Sequence, residues 1–448
     1  MKETLQKIIQ PYGARLMSSN ALLTFKRQVQ ETKRKLLSRP HLIEVYLRIN
    51  DPYSYLLVQI LADFEQHFDV QIQFRTTLNL QQDMYPETEL WHDNGCVDAS
   101  HLANVYKLEW PTHTPENDSY QIKQGSYALL QLENQSRKNT INDWVAVEQV
   151  FKDYWFQQPI SPLNVKLIAY STMDEATCSK QLAANEQMLL EQGHYMSAML
   201  YYAGEWYWGL DRLDHLEARL LLLGLGEGRE VQFDQTHRDF CKTAPLLAAN
   251  PNSKKLTLYF SIRSPYSHLG LHQAIKLAQH YQLALEVKPV LPMVMRGLLV
   301  PHTKKMYIFH DTKREAVKLG IDYGFVADPL GEGVNRCYAL FKYAQSLGKE
   351  TDFLLNYAEA VNAQGIRSET DVGLRIIVER TGLDWAYAQQ LLKDDDGNEQ
   401  WQIWAEENRE QMLALGSWGV PTFQYGDLVL WGQDRAGLIE RAVVEDLA

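Results

Sequence analysis

The sequence has little cysteine, and what it has is scattered. Its cysteines, Cys96, Cys178, Cys241 and Cys337, stand far apart in 448 residues, and none belongs to a Cys-x-x-Cys motif. This spacing excludes both a dithiol redox motif and a zinc site built from paired cysteines. We interpret the four thiols as small buried side chains. No metal site is expected, because the His, Asp and Cys residues around His92 match no standard ligand spacing.

Long apolar runs and excess positive charge are also absent. No apolar run reaches the roughly 18 residues of a membrane span, and the start, Met1-Lys2-Glu3-Thr4-Leu5, lacks the apolar core of a secretory signal. The 44 Lys and Arg residues against 56 Asp and Glu residues give a net charge of −12. No basic stripe is interleaved with aromatic residues. These absences predict a cytoplasmic protein that binds neither nucleic acid nor a membrane.

What the chain does contain is an internal repeat. Three blocks recur in the same order, roughly 210 residues apart. The paired blocks are Asp51-Pro52-Tyr53-Ser54 with Ser264-Pro265-Tyr266-Ser267, the helical stretches around Tyr127 and Tyr338, and Trp208-Gly209-Leu210-Asp211-Arg212 with Trp431-Gly432-Gln433-Asp434-Arg435. Because 448 residues exceed what one core usually supports, the repeat predicts a tandem duplication of one domain.

The repeat and the local composition divide the chain into four parts. Proline discourages continuation of a helix, so a single leading helix is expected to end near Pro40. Gly-Leu-Gly-Glu-Gly and Asn-Pro-Asn-Ser mark a linker between the two copies. The predicted parts are a helical segment (1–40), a first domain (41–223), a linker (224–254) and a second domain (255–448).

The second copy has a readable order of elements. The periodicity predicts a strand at 256–260, a helix that opens at Pro265, a strand within 283–290, helices from 305 to 410 with breaks at Gly365 and Gly382, and a hairpin of 422–424 with 429–430. A helix between two such strands fits a parallel crossover. This order predicts an α/β protein with two tandem thioredoxin-like domains of the DsbA type, each with an inserted helical subdomain.

The segment Ser264-Pro265-Tyr266-Ser267 has Cys-x-x-Cys spacing with oxygens in place of sulfurs. Serine is a good N-cap and proline suits the first helical position, so the motif has a sufficient structural explanation. The same geometry favours an anion at the helix start, and a thiolate is one such anion. The sequence leaves both interpretations open.

A second motif, Ser417-Trp418-Gly419-Val420-Pro421-Thr422-Phe423, precedes the hairpin. We predict a cis Val420–Pro421 bond that offers the Val420 backbone to an extended, peptide-like ligand. The alternative is a proline that only starts a strand.

Together these motifs resemble 2-hydroxychromene-2-carboxylate isomerases and kappa-class glutathione transferases over nearly all of residues 256–448. The resemblance implies glutathione as the cofactor, with Ser264 holding its sulfur. It also implies that the residue before the cis proline, Val420 before Pro421, pairs with the tripeptide backbone and that Asp434 meets its γ-glutamyl end. Lys304 matches a lysine that contacts glutathione, and Gln433 takes a position that is often a small polar contact residue; for both, a role outside the site is an equal alternative.

The sequence also departs from these families. The asparagine usually found before the glutathione-contacting lysine is missing, and His268 stands where an aromatic residue is usual. His268 is either a base near the site or a structural histidine, and we favour the second. The first copy has Asp51 in place of Ser264 and lacks the key proline, which predicts a degenerate domain with a structural or pairing role. The chain is then either an internal pseudo-dimer of its two copies or a homodimer.

The leading hypothesis is a glutathione-dependent isomerase or transferase that acts on a small-molecule electrophile, for example an aromatic one. Ser264 would stabilise the glutathione thiolate. The alternative is a non-catalytic DsbA-like binding or scaffolding protein that lost its redox cysteines. A thiol oxidoreductase is poorly supported, because no cysteine occupies either redox position.

Overall fold

The computed structural model describes residues 2–79, 84, 88–139, 142–158, 174–242, 254–393 and 395–447. The chain forms two compact units, which we call the N-terminal unit (Phe25–Gln235) and the C-terminal unit (Met1–Thr24 with Thr236–Ala448). Residues 243–253 of the predicted linker lie outside the described residues. Among the described residues, no helix combines the length and the apolar character that crossing a membrane requires.

The leading segment forms two helices rather than the single predicted one. Helix α1 spans Lys2–Met17 and helix α2 spans Asn20–Leu36. The break lies at a pair of serines, where Ser19 Oγ accepts a hydrogen bond from the Leu22 N–H at 3.2 Å. A serine that caps a new helix in this way starts α2 and separates it from α1.

The N-terminal unit is built around a four-stranded sheet with the order β2-β1-β3-β4. Strand β1 is parallel to β2 and antiparallel to β3, and β3 and β4 form a hairpin. Its elements are β1 (Leu42–Leu47), α3 (Pro52–His67), β2 (Gln71–Thr76), α4 (Thr88–Tyr106), α5 (Ser119–Asn139), α6 (Trp144–Trp155), α7 (Glu175–Glu191), β3 (Met199–Tyr202), β4 (Glu205–Trp208) and α8 (Leu213–Leu222).

The C-terminal unit has a second four-stranded sheet with the order β6-β5-β7-β8 and the same parallel and antiparallel pairings. Its elements are β5 (Leu256–Phe260), α9 (Pro265–Tyr281), β6 (Leu285–Pro289), α10 (His302–Leu319), α11 (Glu332–Ser346), α12 (Glu350–Asn362), α13 (Asp371–Arg380), α14 (Trp385–Lys393), α15 (Asp395–Ala414), β7 (Thr422–Tyr425), β8 (Leu428–Trp431) and α16 (Ala436–Leu447). The predicted strands, the helix from Pro265, the breaks at Gly365 and Gly382 and the hairpin are confirmed.

The central strand β5 is buried along its whole length. Because successive side chains of a strand point to opposite faces, full burial means that both faces of the sheet are covered. Helix α9 is the crossover between the parallel strands β5 and β6 and packs on this sheet. The end of β5 and the start of α9 therefore meet in a buried corner.

Serine side chains hold this strand–helix corner in each unit. Ser267, in the first turn of α9, is fully buried, and its Oγ accepts a hydrogen bond from the Ser261 N–H at 3.3 Å. In the N-terminal unit, Ser54 Oγ accepts from the Arg48 N–H at 3.2 Å. The same hydroxyl thus satisfies the backbone N–H that follows the central strand in both units.

Replacing Ser267 with alanine tests the strength of this corner. The buried Ser261 N–H would lose its acceptor, so we expect Ser267→Ala to lower the free energy of unfolding by about 1–3 kcal/mol. Urea unfolding followed by tryptophan fluorescence and circular dichroism measures the change. Ser346→Ala is the matched control, because the Ser346 hydroxyl bonds a carbonyl on the surface, and its effect should stay within about 0.5 kcal/mol. Equal effects would contradict the assignment.

Candidate active site

Ser264 is the N-cap of α9, as the sequence predicts. Its backbone is extended (φ −80°, ψ 117°), its Oγ accepts from the Ser267 N–H at 3.2 Å, and Pro265 follows as the first helical residue. The Ser264 N–H donates to Ser261 O at 2.9 Å, which closes the turn after β5. The hydroxyl therefore stands at the positive end of a 17-residue helix.

The Val420–Pro421 peptide bond is cis, which confirms the prediction from the sequence. The structure brings this bond to the start of α9, where Ser264 Oγ donates to Val420 O at 3.4 Å. The carbonyl of Pro421 accepts from the Gly432 N–H at 2.9 Å, which ties the proline to the residue after β8. Ser264, Val420 and the loop after β8 thus form one corner.

Two glycines permit this corner to close. A Cβ on Gly270 of α9 would lie 2.9 Å from Pro421 Cβ, closer than real Cβ atoms approach other carbons. A Cβ on Gly419 would lie 2.4 Å from the Trp431 Nε1 atom. Helix α9 and the Trp431 ring can pack directly on the cis-proline segment only because these positions carry no side chain.

Asp434 lies in the loop between β8 and α16, beside Gly432 (φ 113°). Its carboxylate is 15% exposed, and Oδ1 lies 3.5 Å from Nη1 of the buried Arg435. A Cβ at Gly432 would come within 2.5 Å of that same Oδ1 atom. The Trp-Gly-Gln-Asp sequence thus places a partly exposed carboxylate at the end of the loop.

The neighbouring Gln433 points into the protein and is only 2% exposed. Its side-chain N–H donates to Glu315 Oε2 at 2.8 Å, and its Oε1 accepts from Gln273 Nε2 at 3.0 Å. The structure therefore places the Gln433 side chain in an internal network. It places Lys304, half-buried, in the first turn of α10, the helix that packs along α9.

His268 occupies a structural position. It is 1% exposed, and its Nε2 lies 3.0 Å from Asp322 O, to which it donates. Burial, together with the neighbouring His272, lowers the pKa of His268 to about 3. The ring packs against His272 and Tyr323. A neutral imidazole that is held in this way supports the structural interpretation and not the role of a base.

Two polar contacts near Ser264 were not predicted. Arg263 makes a bidentate pair with Asp328, with both N–O distances at 2.8 Å. Tyr266 Oη donates to the buried Asp311 at 2.7 Å, and Arg314 donates to the other oxygen of that carboxylate at 2.6 Å. These pairs attach the start of α9 to the helical subdomain.

The sequence did carry a signal for the Tyr266–Asp311 pair. In the N-terminal unit Tyr53 Oη donates to Asp98 at 2.9 Å, and the two partners are 45 residues apart in both pairs. Equal spacing in both repeats could have revealed the contact. No comparable signal exists for Arg263 and Asp328.

The corresponding corner of the N-terminal unit is occupied by a carboxylate. Asp51 is the N-cap of α3, is 1% exposed, and accepts from the N–H and the hydroxyl of Ser54 at 3.0 and 2.6 Å. Ala198 (φ 55°) takes the place of the cis proline, with the Gly209 N–H bonded to its carbonyl at 2.8 Å. This corner offers a buried negative charge where the other unit offers a hydroxyl.

Known proteins resemble the C-terminal part of the chain. Residues 255–444 match the family model of the DSBA-like thioredoxin domain, and Ser264 lies at the start of the first helix of the matched part. The 2-hydroxychromene-2-carboxylate isomerases of Pseudomonas putida and of Pseudomonas sp. (strain C18) are each 24% identical over 193 residues, which cover 41% of this chain and 92% and 88% of the relatives. The resemblance to these isomerases is confirmed.

Two solved structures have low overall similarity to this chain. A structure of 2-hydroxychromene-2-carboxylate isomerase is 24% identical, covers 43% of this chain and 98% of its own, and has a TM-score of 0.37. The cytosolic disulfide reductase DsbM from Pseudomonas aeruginosa with GSH is 16% identical, covers 43% and 98%, and has a TM-score of 0.33.

The contact between Gly270 and Pro421 can be tested by adding one methyl group. We expect Gly270→Ala to lower the free energy of unfolding by about 1–3 kcal/mol, because the new Cβ overlaps the proline ring. Gly13→Ala is the matched control: it is also a helical glycine, but its Cβ would meet nothing within 4 Å. That change should be neutral or stabilise by up to about 1 kcal/mol. Urea unfolding measures both, and a neutral Gly270→Ala would contradict the packing.

Burial of His268 predicts acid sensitivity. Its folded-state pKa of about 3 lies below the ordinary 6.5, so the unfolded chain takes up a proton that the folded protein does not. Stability that is present above pH 6.5 is therefore lost as the pH falls towards 3. His268→Gln keeps a donor for Asp322 O but does not titrate. Between pH 8 and 5 the wild type should lose about 2 kcal/mol more unfolding free energy than the variant, measured by urea titration; parallel losses would refute this.

Proposed function

We propose that the C-terminal unit is a glutathione-dependent isomerase or transferase that acts on a small electrophile. The observation that carries the proposal is the position of Ser264, whose hydroxyl stands at the N-terminus of α9 and 3.4 Å from the carbonyl of the cis-bonded Val420. A thiol group and a peptide backbone can be bound side by side at such a corner.

The first task of this corner is to stabilise a thiolate. The positive end of α9 and the Ser264 O–H both favour a negative sulfur. Lowering a thiol pKa from about 8.5 by two units requires roughly 3 kcal/mol of preferential thiolate binding. A helix terminus with one or two hydrogen bonds supplies an energy of that order, so no further base is needed beside the sulfur.

The remaining residues bind the rest of the tripeptide. The Val420 backbone pairs with the extended cysteinyl portion as an added strand would. The Asp434 carboxylate meets the ammonium group of the γ-glutamyl end, and Lys304 of α10 contacts a carboxylate of glutathione. These three roles extend the resemblance to the isomerases, and the pairing of β7 with β8 supports two of them, because Val420 before β7 and Asp434 after β8 lie at the same end of the sheet.

The chemistry then follows from reversible addition. The thiolate sulfur forms a C–S bond to an electrophilic carbon of an unsaturated carbonyl compound, and the displaced π electrons move onto the carbonyl oxygen as an enolate. The former C=C bond is now a single bond, and rotation about it followed by expulsion of the thiolate gives an isomer. Protonation of the enolate and release of the adduct give a conjugate instead.

We also infer that the two units arose by duplication of one domain and that the N-terminal copy has lost this activity. The inference is supported by the equal strand order, by the Tyr–Asp pairs of equal spacing, and by the matching Gly209–Ala198 and Gly432–Pro421 hydrogen bonds. The buried Asp51 carboxylate would repel a thiolate. The N-terminal unit therefore serves a structural or pairing role.

A second candidate function is a non-catalytic binding or scaffolding protein. It is favoured by the observation that the Ser264 hydroxyl already has two structural partners, the Ser267 N–H and Val420 O. In that case the corner holds a peptide without activating a thiol. The two candidates differ in whether a thiol ligand loses its proton on binding.

Isothermal titration with reduced glutathione distinguishes the candidates. The wild type should bind, and Asp434→Ala should bind about 10- to 100-fold more weakly, because a charge-assisted hydrogen bond is lost. Ser264→Asp should still cap α9 but repel the sulfur, so the thiolate absorbance that the wild type induces in glutathione at neutral pH should vanish. Asp427→Ala, an exposed carboxylate in the β7–β8 hairpin turn, is the control and should bind normally.

Absence of binding at millimolar glutathione would refute the proposal. Binding without a thiolate signal would favour the binding or scaffolding function instead. Binding that survives both Asp434→Ala and Ser264→Asp would place the ligand elsewhere on the protein.

A further inference from the structure

Three buried polar side chains meet behind the Asp434 loop of the C-terminal unit. Gln273 of α9, Glu315 of α10 and Gln433 of the loop are 5%, 2% and 2% exposed. Gln273 Nε2 donates to the backbone O and to the Oε1 of Gln433 at 2.8 and 3.0 Å. Gln433 Nε2 donates to Glu315 Oε2 at 2.8 Å. We call these residues the polar triad.

The N-terminal unit carries an apolar set at the corresponding positions. Ile60 and Leu210 stand in the register of Gln273 and Gln433, because the Pro-Tyr-Ser and Trp-Gly-x-Asp-Arg blocks align there. Leu102 follows Asp98 at the same interval as Glu315 follows Asp311, the acceptors of the equivalent tyrosine bonds. All three apolar residues belong to one hydrophobic core and are 9%, 2% and 0% exposed.

The apolar set of the N-terminal unit shows that the fold itself does not require the polar triad. The same strand order and the same loop are maintained with Ile60, Leu210 and Leu102, so a polar triad is not required to close the corner. Burying two amides and a carboxylate costs free energy that hydrogen bonds only partly return, whereas apolar side chains of similar size are usually as stabilising or more so. The polar triad must therefore provide something other than stability.

The triad fixes the orientation of the peptide group between Gln433 and Asp434. Apolar contacts are non-directional, but Gln273 holds the carbonyl oxygen of Gln433, which belongs to the same peptide plane as the Asp434 N–H. The orientation of that plane determines where the Asp434 carboxylate points. Gln273 lies on the helix that begins at Ser264, and Glu315 lies on the helix whose first turn holds Lys304. The triad thus connects the three elements that carry the site.

We propose that Gln273, Glu315 and Gln433 are positioning residues that fix the Asp434 carboxylate for the ammonium group of a γ-glutamyl ligand, an inference that rests on the function proposed above. Gln433 then acts through its buried side chain, and the ligand meets Asp434. In the N-terminal unit, the corresponding loop packs Leu210 into the hydrophobic core instead.

The experiment transplants the apolar set into the C-terminal unit of the full-length chain. The triple variant Gln273→Ile, Glu315→Leu, Gln433→Leu is compared with the wild type by urea unfolding, by titration with reduced glutathione, and by hydrogen exchange of the backbone amides of residues 432–436. We expect an unchanged or higher urea midpoint, at least about tenfold weaker glutathione binding, and at least about tenfold faster exchange in the loop.

Two single variants keep the test decisive if the triple variant does not fold. Gln433→Met retains the length of the side chain but removes its hydrogen bonds, so it should weaken glutathione binding and loosen the loop. Glu315→Gln retains an acceptor for Gln433 and should bind glutathione within about threefold of the wild type. Normal glutathione binding by Glu315→Gln together with weakened binding by Gln433→Met would support a positioning role for the triad over simple packing.

The outcomes separate this inference from the proposed function. If the wild type binds glutathione and the triple variant or Gln433→Met binds equally well, the positioning role is wrong and the proposed function stands. If the wild type does not bind glutathione, both fall. If the loop exchanges at the same rate in all variants, positioning by the triad is refuted whatever the affinity.

Discussion

The structure of the candidate site depends on how the first helix of each unit begins. In the C-terminal unit, Ser267 holds the backbone that leaves β5 while Ser264 caps the helix. Both hydroxyls satisfy N–H groups that a buried helix start would otherwise leave without acceptors. This arrangement fixes α9 on the sheet, and α9 in turn contacts the cis proline through Gly270. The corner formed by Ser264, Val420 and Gly432 is therefore built on this helix start.

The two units show how little must change to alter the chemistry of such a corner. Asp51 satisfies the helix start as well as Ser264 does, since carboxylates and hydroxyls are both effective caps. A carboxylate, however, neutralises the partial positive charge at the helix N-terminus, whereas a hydroxyl leaves that positive charge available to an anionic ligand. Helix capping and anion binding use the same N–H groups, so the residue at the cap determines whether the helix end is available.

The sequence predicted those parts of the fold that depend on local chemistry. The strand at Leu256–Phe260, the helix from Pro265 and the cis Val420–Pro421 bond follow from β propensity, capping and proline geometry, and all are present. The family resemblance implied that Ser264 and Val420 bind one ligand, and the structure brings the two residues within hydrogen-bonding distance. The split between α1 and α2 was missed, since a pair of serines is compatible with helix continuation as well as with a new cap.

The sequence alone could not predict the direction in which these side chains point. Gln433 stands next to Asp434 and has a polar side chain, so the sequence left open whether it contacts a ligand. In the structure its side chain turns inward, where Gln273 and Glu315 are its partners. Those partners lie on α9 and α10, far away in the chain, and only the tertiary structure brings them together. The same holds for Arg263, whose partner Asp328 lies in the helical subdomain.

The two units differ in the side chains that pack behind the loop after the last strand. A buried polar cluster in a single domain is ambiguous, because it can serve stability, specificity or a site. Here one chain contains both solutions, the triad of Gln273, Glu315 and Gln433 and the apolar set of Ile60, Leu102 and Leu210, on the same strand order. The polar triad occurs in the unit that also carries Ser264 and the cis Pro421. The apolar set occurs in the unit that has Asp51 and Ala198 at those positions. Because the fold accommodates either the polar triad or the apolar set, we attribute the polar triad to the positioning of Asp434 in the loop after β8.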